Sequence, residues 1–407
     1  SYMPNRLVIT GIGVISPIAT GKEKFWEALI NGKNGIRKCR KLNTAGYRTH
    51  IAAEVDDFNP QEFIDFRKIN HPTIATQYAI AAAKMALDDS GLKINPESRI
   101  GVVFGNTADP LPHAEAITFW SRNKYSSTPE SIYENLNTNL YAVRIAEYFG
   151  LKGPCAVIPG ACAAGNMAIS YAFDLIKSGH AASMFAGGVE PLNYAVYAGF
   201  NKMRAMAPVC CQPFDRDRKG MVIGEGAGVV LLEDMERALK RNAKIYAEIL
   251  GYGLSCDAHH ISIPDPQGKA AILATEMALK MSGVKPKDID YINAHGTGTI
   301  ANDRMEARVI KTVFKDSGND VCVSSIKSML GHCMGAASGI EACACALIIE
   351  RGIIPPNINY HKPDSGCDIN IVANGAVKKK VKVMLSNSFA FGGNNAILVM
   401  AKLKRAK

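Results

Sequence analysis

Several things this chain lacks narrow the field before any motif is considered. No run of about 18 apolar residues occurs, and Ala342 to Ile349 falls far short of a bilayer span. No secretory signal opens the chain, and Met3-Pro4 reads as its natural start. Its eleven cysteines show no framework spacing, including adjacent Cys210-Cys211 and the closely spaced Cys343 and Cys345. An odd cysteine count without a signal argues for reduced thiols and a cytoplasmic setting. There is no pair of Cys-x-x-Cys motifs, so no zinc site is expected, and His259-His260 reads as a loop feature. The net charge of +10 lacks a basic stripe with interleaved aromatics, which argues against nucleic acid. Lys378-Lys379-Lys380-Val381-Lys382 and the tail Lys402-Leu403-Lys404-Arg405 read as solvated faces, and the overall balance suits an acidic partner.

What remains is 407 residues, 47% hydrophobic and 21% charged, enough for one large or two medium globular domains. The most informative stretch is Gly160-Ala161-Cys162-Ala163-Ala164-Gly165. It places a thiol between a short strand pattern, Ala156 to Ile158, and a helical pattern, Met167 to Ile176. At a helix mouth, backbone N–H groups and the helix dipole favour a thiolate and can hold an oxyanion. A structural Cys in a tight small-residue turn is the competing reading.

The chain also resembles itself. Ala82 to Leu92 matches Ala274 to Val284, each a helix closed by a glycine. Strand patterns follow at Ile100 to Phe104 and Ile289 to Asn293. Strand-and-glycine openings precede at Val8 to Gly13 and Ile249 to Gly253, and Ile176 to Gly179 parallels Ile349 to Gly352. The reading is an α/β fold duplicated as 1–250 and 251–407. Under it, the Cys162 loop and the Lys327–Gly335 loop are equivalents, as are the loops after Phe104 and at His295. These loops converge on one cleft at strand ends.

Polar groups cluster in those loops. Asn293-Ala294-His295-Gly296-Thr297-Gly298-Thr299 offers an imidazole and two hydroxyls after a strand. Ser324 to His332 adds Lys327 and His332 among apolar neighbours, and a semi-buried Lys needs a carboxylate, for which Glu306 is the candidate. In Ser386 to Asn395, the Phe391-Gly392-Gly393 turn offers a backbone donor and a movable aromatic wall. One thiol, two imidazoles, a Lys and a Glu suit covalent catalysis with a carbanion step. A cysteine hydrolase, which needs mainly one His and an orienting Asn or Asp, fits the second His poorly.

These motifs, with Pro213-Phe214-Asp215 and Gly224-Glu225-Gly226-Ala227-Gly228, make the chain resemble the elongating β-ketoacyl-acyl-carrier-protein synthases of the synthase II class from Arg6 to Leu403. The resemblance implies a thiolase-like fold with duplicated halves in a five-layered αβαβα arrangement, and a dimer. It implies that Cys162 takes the acyl chain and that His295 and His332 assist malonyl decarboxylation, with Lys327 paired to Glu306. The N–H groups of Cys162 and Phe391 would form the oxyanion hole, with Phe391 as gate. Thr297, Thr299, Ala108, Gly392 and Gly393 would meet substrate, and Arg67 and Lys68 would dock an acidic acyl carrier protein. No metal or other cofactor is implied, because substrates ride on the carrier's phosphopantetheine.

The chain departs from the family pattern at Gly160, Gln212, Asn70-His71-Pro72-Thr73 and Asn394-Asn395. These departures favour a type II polyketide or polyene ketosynthase paired with a chain-length factor over a homodimeric fatty-acid enzyme. A thiolase is disfavoured because Ser386 to Asn395 holds no second Cys. A non-catalytic partner subunit is disfavoured because Cys162, both His and Lys327 are intact.

Overall fold

The computed structural model describes residues 6–95, 97–107, 121, 139–315 and 321–403. Ten strands form its main sheet. Five come from the first half: β1 (Leu7–Ile15), β2 (Ile100–Gly105), β3 (Cys155–Ile158), β4 (Ser183–Glu190) and β5 (Gly226–Asp234). Five come from the second: β6 (Ala247–Cys256), β7 (Tyr291–Asn293), β8 (Cys322–Ser324), β9 (Val383–Phe389) and β10 (Asn394–Ala401). Their spatial order is β8-β7-β9-β10-β6-β1-β5-β4-β2-β3. Each half therefore repeats the order third, second, fourth, fifth, first. The directions repeat as well: β2 runs parallel to β3 and β4, as β7 does to β8 and β9. The last two pairings of each half are antiparallel. The halves join where Leu7–Ile9 of β1 meets Ala247–Ile249 of β6. That join lies inside β6, so the repeat begins at Ala247, slightly before the expected division at 250/251.

Among the described residues, six of the longer helices flank the sheet. Helices α1 (Ile74–Ser90) and α2 (Leu140–Phe149) cover the outer face of the first half. Helices α3 (Ala164–Lys177) and α6 (Ala337–Arg351) lie between the halves and touch strands of both, while α4 (Lys269–Ser282) and α5 (Ile300–Val313) cover the second half. Strand alternation sorts the cores. On β5, Val230 and Leu232 face the central helices while Val229 and Leu231 face outward. On β9, Met384 faces inward and Leu385 outward.

The internal likeness in the sequence has a packing cause. A Cβ on Gly13 of β1 would lie 1.8 Å from the carbonyl oxygen of Ala82 on α1, and one on Gly253 of β6 would lie 1.8 Å from that of Ala274 on α4. Both outer helices thus rest directly on glycine backbone. The starts of α3 and α6 meet just as closely, since a Cβ on Gly165 would lie 2.5 Å from the backbone nitrogen of Gly339.

Gly165→Ala should therefore lower unfolding free energy by about 1–3 kcal/mol through overpacking. Gly91, left-handed at φ 64 with open space around its Cβ position, should lose only about 1–2 kcal/mol on Gly91→Ala. Urea unfolding of the two variants checks these losses, and a Gly165→Ala loss below about 1 kcal/mol would contradict the helix-contact argument.

Candidate active site

Cys162 sits in the turn between β3 and α3. Ala161 before it takes left-handed backbone at φ 50, an uncommon conformation for a residue with a Cβ, which lets the chain reverse and set the thiol at the helix start. Cys162 is 5% exposed. Burial pushes its thiol up to about 11, against the pull of Lys327 and of the backbone N–H groups of Phe391 and of Cys162 itself. Glu190 adds to the upward push.

The two imidazoles come from the second half. His295 follows β7, and Glu306 of α5 holds its loop by accepting the N–H groups of His295 and Gly296, each at 2.8 Å, and the amide of Asn387 at 3.1 Å. His332 accepts the Met334 N–H on Nδ1 at 3.1 Å. A neutral ring bonded this way carries its proton on Nε2, which has no hydrogen-bond partner and remains available to a substrate. The rings meet edge to face with centroids 5.3 Å apart. Burial holds both well below the ordinary imidazole value of 6.5, and the Lys327 charge lowers them further. For His295, the His332 ring adds to this.

Lys327 does not pair with Glu306 as expected. Its ammonium is bonded to Glu341 on α6, both side chains being buried. Glu306 instead anchors backbone N–H groups, and burial raises its carboxyl to about 7 against those bonds. The sequence carries a signal for the true partner: Glu341 stands alone among Ile340, Ala342, Cys343 and Ala344 on a helix buried from Ala337 to Ile349, where a carboxylate requires a cation.

Cys162, His295, His332, Thr297, Thr299, Phe391 and Gly393 line one cavity of about 420 Å³, whose lining does not include Lys327 or Glu306. The Thr297 and Thr299 hydroxyls lie 2.8 Å apart. Phe391 packs on Phe200 at 5.3 Å, in the apolar cluster that includes Cys162, Tyr197, Met206 and Met334. Gly392 and Gly393 are left-handed at φ 83 and 81, and the Gly392 N–H reaches Ile261 at 2.7 Å. Ala108 lies outside the described residues. Arg67 and Lys68 do not line the cavity; Arg67 pairs with Asp65 at 2.8 Å and Lys68 stands over the Tyr148 ring. Two exposed cations that sequence reading passed over, Arg204 and Lys219, do line it. Among the described residues no cluster of three potential metal ligands occurs, and no helix is long and apolar enough to cross a membrane.

Comparison with known proteins agrees with this geometry. The family model for the β-ketoacyl synthase N-terminal domain matches residues 4–238, and that for the C-terminal domain matches 246–361. The chain is 38% identical to 3-oxoacyl-[acyl-carrier-protein] synthase 2 of Coxiella burnetii, over 98% of this chain and 99% of that one. Identity to the Synechocystis protein of the same name is 39%, covering 98% of each. Among solved structures, the ishigamide ketosynthase/chain length factor superposes with TM-score 0.93 at 36% identity, covering 99% of this chain and 100% of that one. A type II PKS ketosynthase, in complex with its acyl-carrier protein and bound to the hexaketide, gives TM-score 0.89 at 31% identity, with 99% and 100% coverage.

The two carboxylates near Lys327 separate by mutation. Glu341→Gln strands a buried ammonium and should cost about 3–5 kcal/mol in urea unfolding. Glu306→Gln keeps an acceptor oxygen for the His295 loop and should cost about 1–2 kcal/mol. Equal costs would contradict the assigned pairing.

Proposed function

The chain belongs to the β-ketoacyl synthase family, and we propose that it performs decarboxylative Claisen condensation on carrier-bound substrates as the active ketosynthase of a type II polyketide or polyene system. The observation that carries the reaction is the set of one thiol and two neutral imidazoles on a single cavity, beside a fixed positive charge.

The steps follow from the groups present. Cys162 sulfur attacks the carbonyl of an acyl thioester, and its proton leaves with the pantetheine sulfur. The oxyanion formed in that attack accepts the N–H groups of Cys162 and Phe391, the same donors that already favour the thiolate. A malonyl thioester then loses carbon dioxide, and its carbonyl oxygen becomes an enolate held by His295 and His332. Neutral imidazoles suit this task, because each donates a hydrogen bond without surrendering a full proton. The enolate carbon attacks the Cys162 thioester, a second oxyanion forms in the same hole, and its collapse expels the thiolate, which takes up a proton from water to restore the thiol. Thr297 and Thr299 stand where the pantetheine arm would pass. Arg204 and Lys219 at the cavity, with Arg67 and Lys68 further off, offer positive charge to an acidic carrier.

The likeness to the ishigamide ketosynthase/chain length factor and the departures at Gly160 and Gln212 support the specialised pathway. The named synthase 2 relatives at 38–39% identity favour the second reading, a fatty-acid homodimer. Native mass spectrometry after incubation with malonyl and acyl carrier protein, with the protein co-expressed with its genomic neighbours, separates them. A complex with a cysteine-lacking relative, acylated only on Cys162, is expected; an acylated homodimer would favour the fatty-acid reading.

Cys162→Ala should abolish condensation yet retain malonyl decarboxylation, and His332→Ala should slow decarboxylation by about 10²–10³-fold. A Cys162→Ala protein that still condenses acyl chains refutes the mechanism. Both imidazoles are held below 6.5, so they stay neutral as pH falls through that value. Decarboxylation should therefore keep its rate from pH 8 through 6.5 and fall only below it. A half-loss of rate at 6.5 would contradict the neutral-imidazole assignment.

A further inference from the structure

The duplication leaves a second copy of the nucleophile turn. Ala161 and Met334 precede α3 and α6 by the same interval, and both carry a Cβ in left-handed backbone, at φ 50 and φ 47. Gly335 is thus the counterpart of Cys162. No side chain fits there, since a Cβ on Gly335 would lie 2.6 Å from the Cα of Asn106 and the nitrogen of Thr107. The Thr107 backbone in turn corresponds to His295: Asn106 and Ala294 each donate their N–H to the last residue of the neighbouring edge strand, Ile158 and Ser324.

One backbone donor of this second turn is given to a carboxyl group. Oε2 of Glu190, a buried residue at the end of β4, accepts the Gly335 N–H at 3.2 Å and the Thr107 N–H at 2.9 Å. One residue earlier, the Met334 N–H is donated to Nδ1 of His332. Two consecutive N–H groups of one strained turn are therefore fixed, the first by His332 and the second by Glu190. A left-handed residue with a Cβ costs about 1–3 kcal/mol and persists only where its surroundings over-determine it.

We infer that Glu190 is a positioning residue for His332: its carboxyl oxygen clamps the Met334–Gly335 peptide, and through the Met334 N–H it fixes the ring with Nε2 presented to the cavity. Without the clamp the turn relaxes toward ordinary backbone, the Met334 N–H swings away from Nδ1, and the ring loses its single tautomer. Glu190 touches no reacting atom in this scheme; it sets the geometry in which His332 meets the enolate oxygen.

The rate readout of this inference rests on the proposed condensing reaction, so the test includes one that does not. Solid-state NMR of protein carrying 15N-histidine reads the His332 tautomer without substrate. The wild type should show the Nε2–H form alone, and Glu190→Ala a mixture. In malonyl-carrier decarboxylation, Glu190→Ala should lose about 10–100-fold in kcat with KM unchanged within about twofold. Formate, which can occupy the vacated carboxyl position, should restore at least about threefold of that loss. Glu190→Gln keeps an acceptor oxygen and should stay within about threefold of wild type. A Glu190→Ala protein with wild-type kcat and a single His332 tautomer overturns the inference. So does equal impairment of the Ala and Gln variants with no response to formate. Should Glu190→Ala fail to fold, Glu190→Asp, whose carboxyl group is drawn back by one methylene, should lose at least about tenfold in kcat; wild-type kcat there overturns it equally. If the wild type itself does not decarboxylate malonyl carrier, the proposed function falls, while the tautomer spectra still decide the role of Glu190.

Discussion

The architecture depends on the meeting of two helix starts. Helices α3 and α6 approach at Gly165 and Gly339 so closely that no Cβ fits on Gly165. The strands beside them make the same concession, as a Cβ on Gly188 would lie 2.1 Å from the Gly335 carbonyl oxygen and one on Gly228 would lie 2.2 Å from the Ile340 nitrogen. The Ser338 hydroxyl accepts the Asn166 N–H at 3.0 Å and stitches the two starts together. This contact brings the turn carrying Cys162 against the turn carrying His332, although they lie in different halves of the chain.

Electrostatics at that crossing is a contest between burial and one fixed charge. Burial raises the Cys162 thiol and lowers both imidazoles, so at neutral pH it leaves a thiol and two neutral rings. Lys327 acts against burial at the sulfur and with it at the rings. One ammonium thus eases ionisation of the nucleophile and keeps the hydrogen-bond donors uncharged. Glu341 reaches that ammonium from α6 and offsets the cost of burying it. The pair is better regarded as part of the site's field than as a brace for the fold.

Most of this was legible in the sequence, and what was not has physical reasons. The internal repeat was visible because Gly13 and Gly253 meet Ala82 and Ala274 in the same way, so packing had preserved the pattern, whereas the strand order was not read from the sequence. The cavity groups Cys162, His295, His332, Thr297 and Thr299 stood out because each sits in a small-residue loop at a strand end. The partner of Lys327 was misassigned because Glu306 sits in a polar segment just after the His295 loop and is also buried, while Glu341, though nearer in sequence, hides within an apolar helix. Telling them apart requires knowing that α6 crosses behind the Lys327 loop. Arg204 and Lys219 escaped notice for a different reason. They are exposed cations in a chain with 47 Lys and Arg, and only the placement of the cavity singles them out.

Duplication with a single site raises the question of what became of the other one. Each half builds a strand, a left-handed turn and a central helix, so each creates backbone donors facing inward, which attract negative charge. In the proposed mechanism the first half receives that charge during reaction, from the thiolate and the oxyanions that follow from it. In the second half the backbone of residues 106–107 fills the space a nucleophile would need, and the carboxyl group of Glu190 takes the Gly335 and Thr107 donors permanently. A turn whose donors are already satisfied is rigid, and rigidity is what a turn carrying His332 requires. Under the proposed mechanism the turn carrying Cys162 has the opposite need, since its donors must be open when the acyl group arrives. The two copies of one motif thus separate into a reacting turn and a holding turn, and the asymmetry between Cys162 and Gly335 follows from that division.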